Sequence, residues 1–342
     1  MSYLITFTIA LTIAVIGTPL SMSLAQKLGA IDYPGGRRVH KRPIPRLGGV
    51  AIYLAFWTAA LATRLWDNTL WGLFYGSTLI LLVGIWDDVK GMRPLTKLIW
   101  QVIAASVLLF FGFSMDQISL PLIGSINLGI LGLGLAVFWV IGLVNTVNIS
   151  DGLDGLAAGI CFGTALILFW SANQIHQVPA AHLTLALAGA SLGFLFFNFH
   201  PARVFMGDSG SMFLGYIIGG ISIAGLLKTA TILGLVFPLL ALGMPLTDLT
   251  FAIIRRKLRG QPISLADRGH LHHRLLDAGL SQRQAVILMY GISACFGLTA
   301  VLGATGYWAG ALALLVADFT LLLTILLRRT ALLTALSRRQ SK

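Results

Sequence analysis

Apolar residues in this chain come in runs long enough to cross a bilayer, and that pattern excludes nearly every soluble architecture. With about 20 apolar residues needed per spanning helix, the sequence divides into runs at roughly 3–25, 47–65, 70–86, 97–113, 128–146, 156–172, 181–198, 210–227, 230–254, 284–303 and 307–327. Only 11% of the 342 residues are charged and 57% are hydrophobic. A soluble domain of this size cannot hide that much apolar surface. The predicted fold is all-α: a polytopic integral membrane protein of about 11 transmembrane helices, in one transmembrane domain covering 1–342. The first run lacks a charged leader and is too long for a signal peptide, so it is expected to be retained as a span.

An odd number of spans places the two termini on opposite sides. It also gathers the connections 26–46, 87–97, 146–156, 199–209, 255–283 and the tail 328–342 on one side. Of the 24 Lys and Arg, all but Arg64 and Lys228 fall in those segments, which marks that side as cytoplasmic. The formal charge of +12 therefore follows from topology and anionic ligands, and nucleic acid is not expected as a partner. The two cysteines, Cys161 and Cys295, sit inside apolar runs and offer no disulfide framework. On the opposite side the longest connection, 114–127, has the composition of a small hairpin. His176 and His182, near that side, read as ordinary interface residues.

All twelve acidic residues are Asp, and most lie in short clusters on the basic side. Asn145, Asn148, Asp151 and Asp154 recur every third residue between two apolar runs, a spacing that on a helix keeps four side chains on one broad face. Gly152 and Gly155 allow the backbone to break or to approach a ligand. Acids where spans meet are costly and are functional by default. Asp87 and Asp88 form an adjacent carboxylate pair suited to a divalent cation or to a proton acceptor. Lys97 begins the following run at headgroup level, where it meets lipid phosphate.

The stretch from His200 to Ser211 places Asp208 among glycines and serines at a helix start, a setting for metal-bound phosphate. The first connection, Asp32 to Gly49, is broken by Pro and Gly and carries Arg37, Arg38, His40 and Arg46 as cations for phosphate. Arg268, His270, His272, His273 and Arg274 cluster in the longest basic connection. Their spacing does not match usual zinc ligation, and donors to a pyrophosphate fit better. Oxygen ligands for Mg²⁺, a ring of cations and lipid access suit phosphoryl transfer between a soluble compound and a lipid phosphate.

Asp87-Asp88, Asn148-x-x-Asp151-Gly-x-Asp154-Gly, Phe205-Met-Gly-Asp208-x-Gly-Ser and His270-x-His272-His273 occur in this order. Together they resemble the motifs of the polyprenyl-phosphate N-acetylhexosamine-1-phosphate transferase family. The resemblance extends from Asp32 to about Arg274. It implies a reaction in which polyprenyl (undecaprenyl) phosphate attacks the β-phosphorus of a UDP-sugar. UMP leaves, and a lipid-pyrophosphoryl sugar that starts cell-surface polysaccharide synthesis remains.

It also implies Mg²⁺ (or Mn²⁺) held by Asp208 with Asn148 as second ligand, and Asp87, Asp88 and Asp151 as the catalytic acids. Lys97 would hold the lipid phosphate, while Asp154 and Phe205 would meet the nucleotide. Arg46, Arg268, His270, His272 and His273 would bind the sugar phosphates. Leu271 interrupts a run of three histidines found in the muramyl-pentapeptide branch, so the sequence resembles the GlcNAc-1-phosphate branch and UDP-GlcNAc is the expected donor. The expected setting is the bacterial cytoplasmic membrane, with other membrane lipids around the chain and a homodimer left open. The competing class is an ion-coupled transporter or lipid flippase, whose acids sit near mid-bilayer. Here only Asp248 and Asp318 fall inside runs.

Overall fold

The computed structural model describes residues 1–34, 42–65, 68–120, 124–227, 233–258, 260 and 270–340. Arg37, Arg38, His40 and Arg268 lie outside the described residues. The chain divides into two compact units, Met1–Leu239 and Leu240–Lys342.

The first unit opens with α1 (Tyr3–Leu28), capped by the Ser2 hydroxyl and closed by Gly29 at φ 73°. Two-residue strands β1 (Ile31–Asp32) and β2 (Ile44–Pro45) then pair antiparallel. After them come α2 (Gly48–Ala62), α3 (Asn68–Lys90) and α4 (Pro94–Phe110). Pro94 sits in the first turn of α4, where its missing N–H costs nothing. Strands β3 (Gln117–Leu120) and β4 (Gly124–Asn127) pair antiparallel, the hairpin expected for 114–127. The unit continues through α5 (Ile130–Ser150), α6 (Leu156–Gln174), α7 (Val178–Asn198) and α8 (Gly207–Ile221), which runs into a π-helical segment, Ser222–Leu227.

Helix α9 (Leu233–Ala241) leads into the second unit, where α10 (Gly243–Leu258), α11 (Leu271–Asp277), α12 (Gln282–Ala304) and α13 (Trp308–Gln340) follow. Among the described residues, seven helices are long and apolar enough to cross a membrane, with α2 and α4 shorter and apolar. The chain is thus an all-α multi-pass membrane protein. The expected single span at 230–254 is instead two helices that break at Leu242. Pro245 explains the break: it has no N–H to donate to the carbonyl of Ala241, and its ring crowds that turn.

Inside a bilayer, helices associate through close backbone approach more than through apolar burial. Helices α1 and α7 show this. Ala10 and Ala14, spaced by four on α1, are fully buried against Gly189 and Gly193 of α7. A Cβ on Gly189 would overlap the Phe7 carbonyl and stand 2.9 Å from Ala10 Cβ. The Thr6 hydroxyl and His182 Nδ1, 2.7 Å apart, tie the same two helices, so His182 is a buried interhelical partner.

Elsewhere the Tyr216 hydroxyl donates to the Ala104 carbonyl at 2.9 Å, and Trp57 Nε1 donates to Ser77 Oγ at 3.1 Å. Each bond satisfies a group that lipid would leave unpaired. Gly189→Val is expected to destabilise the α1–α7 contact by about 1–3 kcal/mol through overpacking. Thermal unfolding in detergent would show this as a lowered midpoint; an unchanged midpoint would mean that the two helices do not rely on this approach.

Candidate functional site

The polar clusters of the first unit meet where α2, α3, α4, α5 and α8 begin or end. The entry to α8 is held from two sides. Phe205 N–H donates to the Pro45 carbonyl at 2.8 Å, and the Gly48 and Gly49 N–H groups donate to Phe205 and Met206 carbonyls, both at 3.0 Å. A side chain at Gly49 would collide with backbone at Ser209 and Gly210, one at Gly84 with backbone at Asp208 and Ser209, and one at Gly207 (φ +69°) with the Asp88 carboxylate. Three glycines therefore let three chain segments crowd around one helix start.

Within this setting the adjacent acids part company. The Asp88 side chain is fully buried. Its oxygens accept from Asp208 N–H at 2.9 Å, Ser209 N–H at 3.1 Å, Ser209 Oγ at 2.8 Å and Arg46 Nη2 at 3.2 Å. Asp87, in contrast, pairs with Lys97 Nζ at 2.8 Å. The Lys97 ammonium also contacts the Asp208 carboxylate. Asn148 Nδ2 donates to the other Asp208 oxygen and to Ser211 Oγ, both at 2.8 Å. Asp87, Lys97, Asn148 and Asp208 form one polar cluster from four helices.

This cluster suits a hard divalent cation. Two carboxylates already converge on one positive group, and the donors available are oxygens. Among the described residues no group of three or more His, Cys, Asp or Glu is placed to hold a metal. A hard cation such as Mg²⁺ takes few protein carboxylates and completes its shell with substrate phosphates and water. Asn148 presents its amide N–H to Asp208, so here it orients that carboxylate; as a ligand it would turn its Oδ1 to the metal.

The recurring Asn/Asp run does not share a helix face. Helix α5 ends at Ser150, Asp151 caps it, and Gly155 at φ 81° opens α6. Asn145, Asn148 and Asp154 serve separate partners. Asn145 donates to Gln101 Oε1 at 2.8 Å, and Gln101 in turn reaches Met212 Sδ at 3.4 Å. Asn148 reaches Asp208. Burial first, then the charges of Asp208 and Asp88, pushes the Asp151 carboxyl up to about 8.

Asp154 Oδ2 takes His200 Nδ1 at 2.8 Å and Ala202 N–H at 3.0 Å. Its carboxylate thereby fixes the His200 ring. The only sequence signal for His200 is its place eight residues before Asp208. Asn198, whose amide bridges Gly155 N–H and the Val204 carbonyl, carried no signal at all. Arg46 is engaged by acids, Asp88 at 3.2 Å and Asp32 at 3.6 Å.

The second unit contains the histidine cluster. His270 Nδ1 lies 3.0 Å from Asp248 Oδ2, and Leu271 N–H donates to Asp248 Oδ1 at 2.8 Å. Asp248, taken from the sequence for an acid within a span, is therefore the anchor of this cluster. The His270 and His272 rings stack at 5.8 Å, and those of His272 and His273 stand 4.2 Å apart. Burial first, then the neighbouring His273, lowers His272 to about 4. An unfolded His binds protons at about 6.5, so this group favours the folded state above that value and loses that contribution as pH falls toward 4. Carbon-13 spectra of histidine-labelled protein are expected to show a neutral His272 ring at pH 6; titration near 6.5 would mean that the ring is not buried.

Comparison with known proteins adds the family. A model of glycosyl transferase family 4 matches residues 70–226. The chain is 39% identical over 299 residues to a probable undecaprenyl-phosphate N-acetylglucosaminyl 1-phosphate transferase of Bacillus subtilis, covering 87% of this chain and 84% of that protein. It is 37% identical over 298 residues to a decaprenyl-phosphate N-acetylglucosaminephosphotransferase of Mycolicibacterium smegmatis, covering 78% and 73%. It is also 32% identical over 317 residues to a phospho-N-acetylmuramoyl-pentapeptide-transferase of Synechococcus, covering 88% and 91%.

Proposed function

This chain belongs to glycosyl transferase family 4, and from that premise we propose that it transfers GlcNAc-1-phosphate from UDP-GlcNAc to undecaprenyl phosphate. The observation that carries this reading is the convergence of Asp87, Lys97, Asn148 and Asp208 in a chain 39% identical to a protein named for that activity. An oxygen of the lipid phosphate bonds to the β-phosphorus of the donor. The bond from that phosphorus to the bridging oxygen breaks, and UMP leaves with the oxygen. The product is a lipid pyrophosphate carrying GlcNAc.

Asp208 would hold Mg²⁺, with Asn148 beside it. When bound, the ion neutralises charge on the pyrophosphate. The chain's own groups do the positioning that phosphoryl transfer chiefly requires. Lys97 exchanges its carboxylate partners for phosphate, and Asp87 orients the acceptor. A lipid phosphate is largely ionised near neutral pH, so no strong base is needed. His200, set by Asp154, and the ring of Phe205 would meet the nucleotide.

Lipid access is supported by an apolar groove of about 480 Å³ between α3 and α4, lined by Leu82, Trp86, Arg93 and Trp100 among others. The basic segments support a cytoplasmic location for these clusters at a bacterial inner membrane. The donor choice rests on the 39% identity to a GlcNAc-1-phosphate transferase and on Leu271 interrupting the histidines.

Purified protein with undecaprenyl phosphate and Mg²⁺ is expected to release UMP from UDP-GlcNAc and not from UDP-MurNAc-pentapeptide. EDTA should abolish release. Reaction with the second donor alone would keep the chemistry and reassign the substrate; silence with both would remove the reading. Asp208→Ala is expected to lower turnover by at least about a hundredfold, the scale of losing one preorganised electrostatic group. Substantial activity in that variant would sink the metal assignment.

A further inference from the structure

We infer that Asp88 is a positioning residue that caps the first turn of α8 from a neighbouring helix, and that of the acid pair only Asp87 faces the reacting phosphates. This assignment rests on the transferase reading above for its catalytic consequence, while the cap itself stands on geometry.

A helix start leaves backbone N–H groups without partners, and a side chain at the cap position usually satisfies one or two of them. At α8 the cap position is Met206, which has no such group. Asp88, on α3, supplies what Met206 lacks. It accepts from the N–H groups of Asp208 and Ser209, the second and third residues of the helix. The Ser209 hydroxyl and Arg46 guanidinium complete its set. The negative charge also complements the positive end of the helix dipole.

Four donors surround the two oxygens, and the side chain is closed to solvent. Reaching a substrate proton would require breaking this shell. Asp87 keeps 11% side-chain exposure and pairs with Lys97. The cap also explains Gly207 and Gly84. A Cβ at Gly207 would collide with the Asp88 carboxylate, and one at Gly84 with the Ser209 backbone. The consequence is specific: Asp208 is fixed at both ends, its backbone N–H by Asp88 and its carboxylate by Lys97 and Asn148. Asp88 thus directs the metal-binding carboxylate without touching the metal.

Hydrogen–deuterium exchange of peptides covering 206–210, without Mg²⁺ or substrate, separates this role from a chemical one. Asp88→Asn is expected to speed exchange at Asp208 and Ser209 by about tenfold, the scale of a lost cap. Turnover should fall and the Mg²⁺ concentration for half-maximal activity should rise. Asp87→Asn should lose turnover with exchange at the wild-type rate. Ser209→Ala, which removes one of the four donors and keeps the fold safer, should speed exchange by a smaller factor, about two- to threefold, with a milder rise in Mg²⁺ requirement.

Wild-type exchange in Asp88→Asn together with lost turnover would overturn the inference and return Asp88 to the chemistry. Fast exchange with undiminished turnover would overturn it equally, because the cap would not matter to the reaction. Wild-type behaviour of Ser209→Ala in both readouts would also count against it. If wild-type protein released no UMP from any UDP-sugar, the transferase reading would fail, and the exchange rates would still decide the cap.

Discussion

The buried Asp88 carboxylate is the joint on which the site depends. A charge inside a membrane protein is tolerable only when its partners replace the water it has lost. Here two backbone N–H groups, a hydroxyl and a guanidinium do so. Hydrogen bonds to a charged group are each worth about 1.5–3 kcal/mol when a partner is removed. That range is enough to hold α3, the start of α2 and the first turn of α8 in one arrangement. The glycines at 49, 84 and 207 are the counterpart of that carboxylate, since the segments reach bonding distance only where no Cβ intervenes.

The rest of the first unit obeys the bilayer's demand that polar groups find partners within the protein. Helices α1 and α7 close on small residues and one Thr–His bond, and Tyr216 and Trp57 satisfy their polar atoms across helix contacts. Charge is concentrated instead at the helix ends that carry the basic connections. A reaction between a water-soluble nucleotide sugar and a membrane-held phosphate can occur only where both media are within reach. Helix termini at the interface meet that need. They also supply unpaired N–H groups and dipoles at no further cost in burial.

Much of this could be read from residues alone because its physics is local. Apolar run length announced membrane helices, and the composition of 114–127 announced a hairpin. The order of Asp87, Asn148 and Asp208 in their motifs announced a cluster that the structure assembles. Two readings failed for reasons that local pattern does not carry. The three-residue repeat from Asn145 to Asp154 looked like one helix face, yet the helix ends at Ser150 and Gly155 turns the chain. Asn145, Asn148 and Asp154 then answer to different partners, Gln101, Asp208 and His200, none closer than 44 residues. The apolar run at 230–254 looked continuous, but Pro245 divides it. That proline was visible, and only its effect on the Ala241 carbonyl shows why it outweighs hydropathy.

By itself the sequence determined that the chain is a bundle of membrane helices, which of its residues are dear enough in lipid to have a purpose, and which chemistry those residues suit. These follow from transfer free energies and side-chain chemistry, which each residue brings with it. Only the tertiary structure decided the division of labour. Two identical neighbouring acids, Asp87 and Asp88, point along one helix about 100° apart. One meets Lys97 and the other meets the start of α8, so one is left accessible and the other becomes part of the frame. Nothing within the pair distinguishes them; the helices packed against each side do.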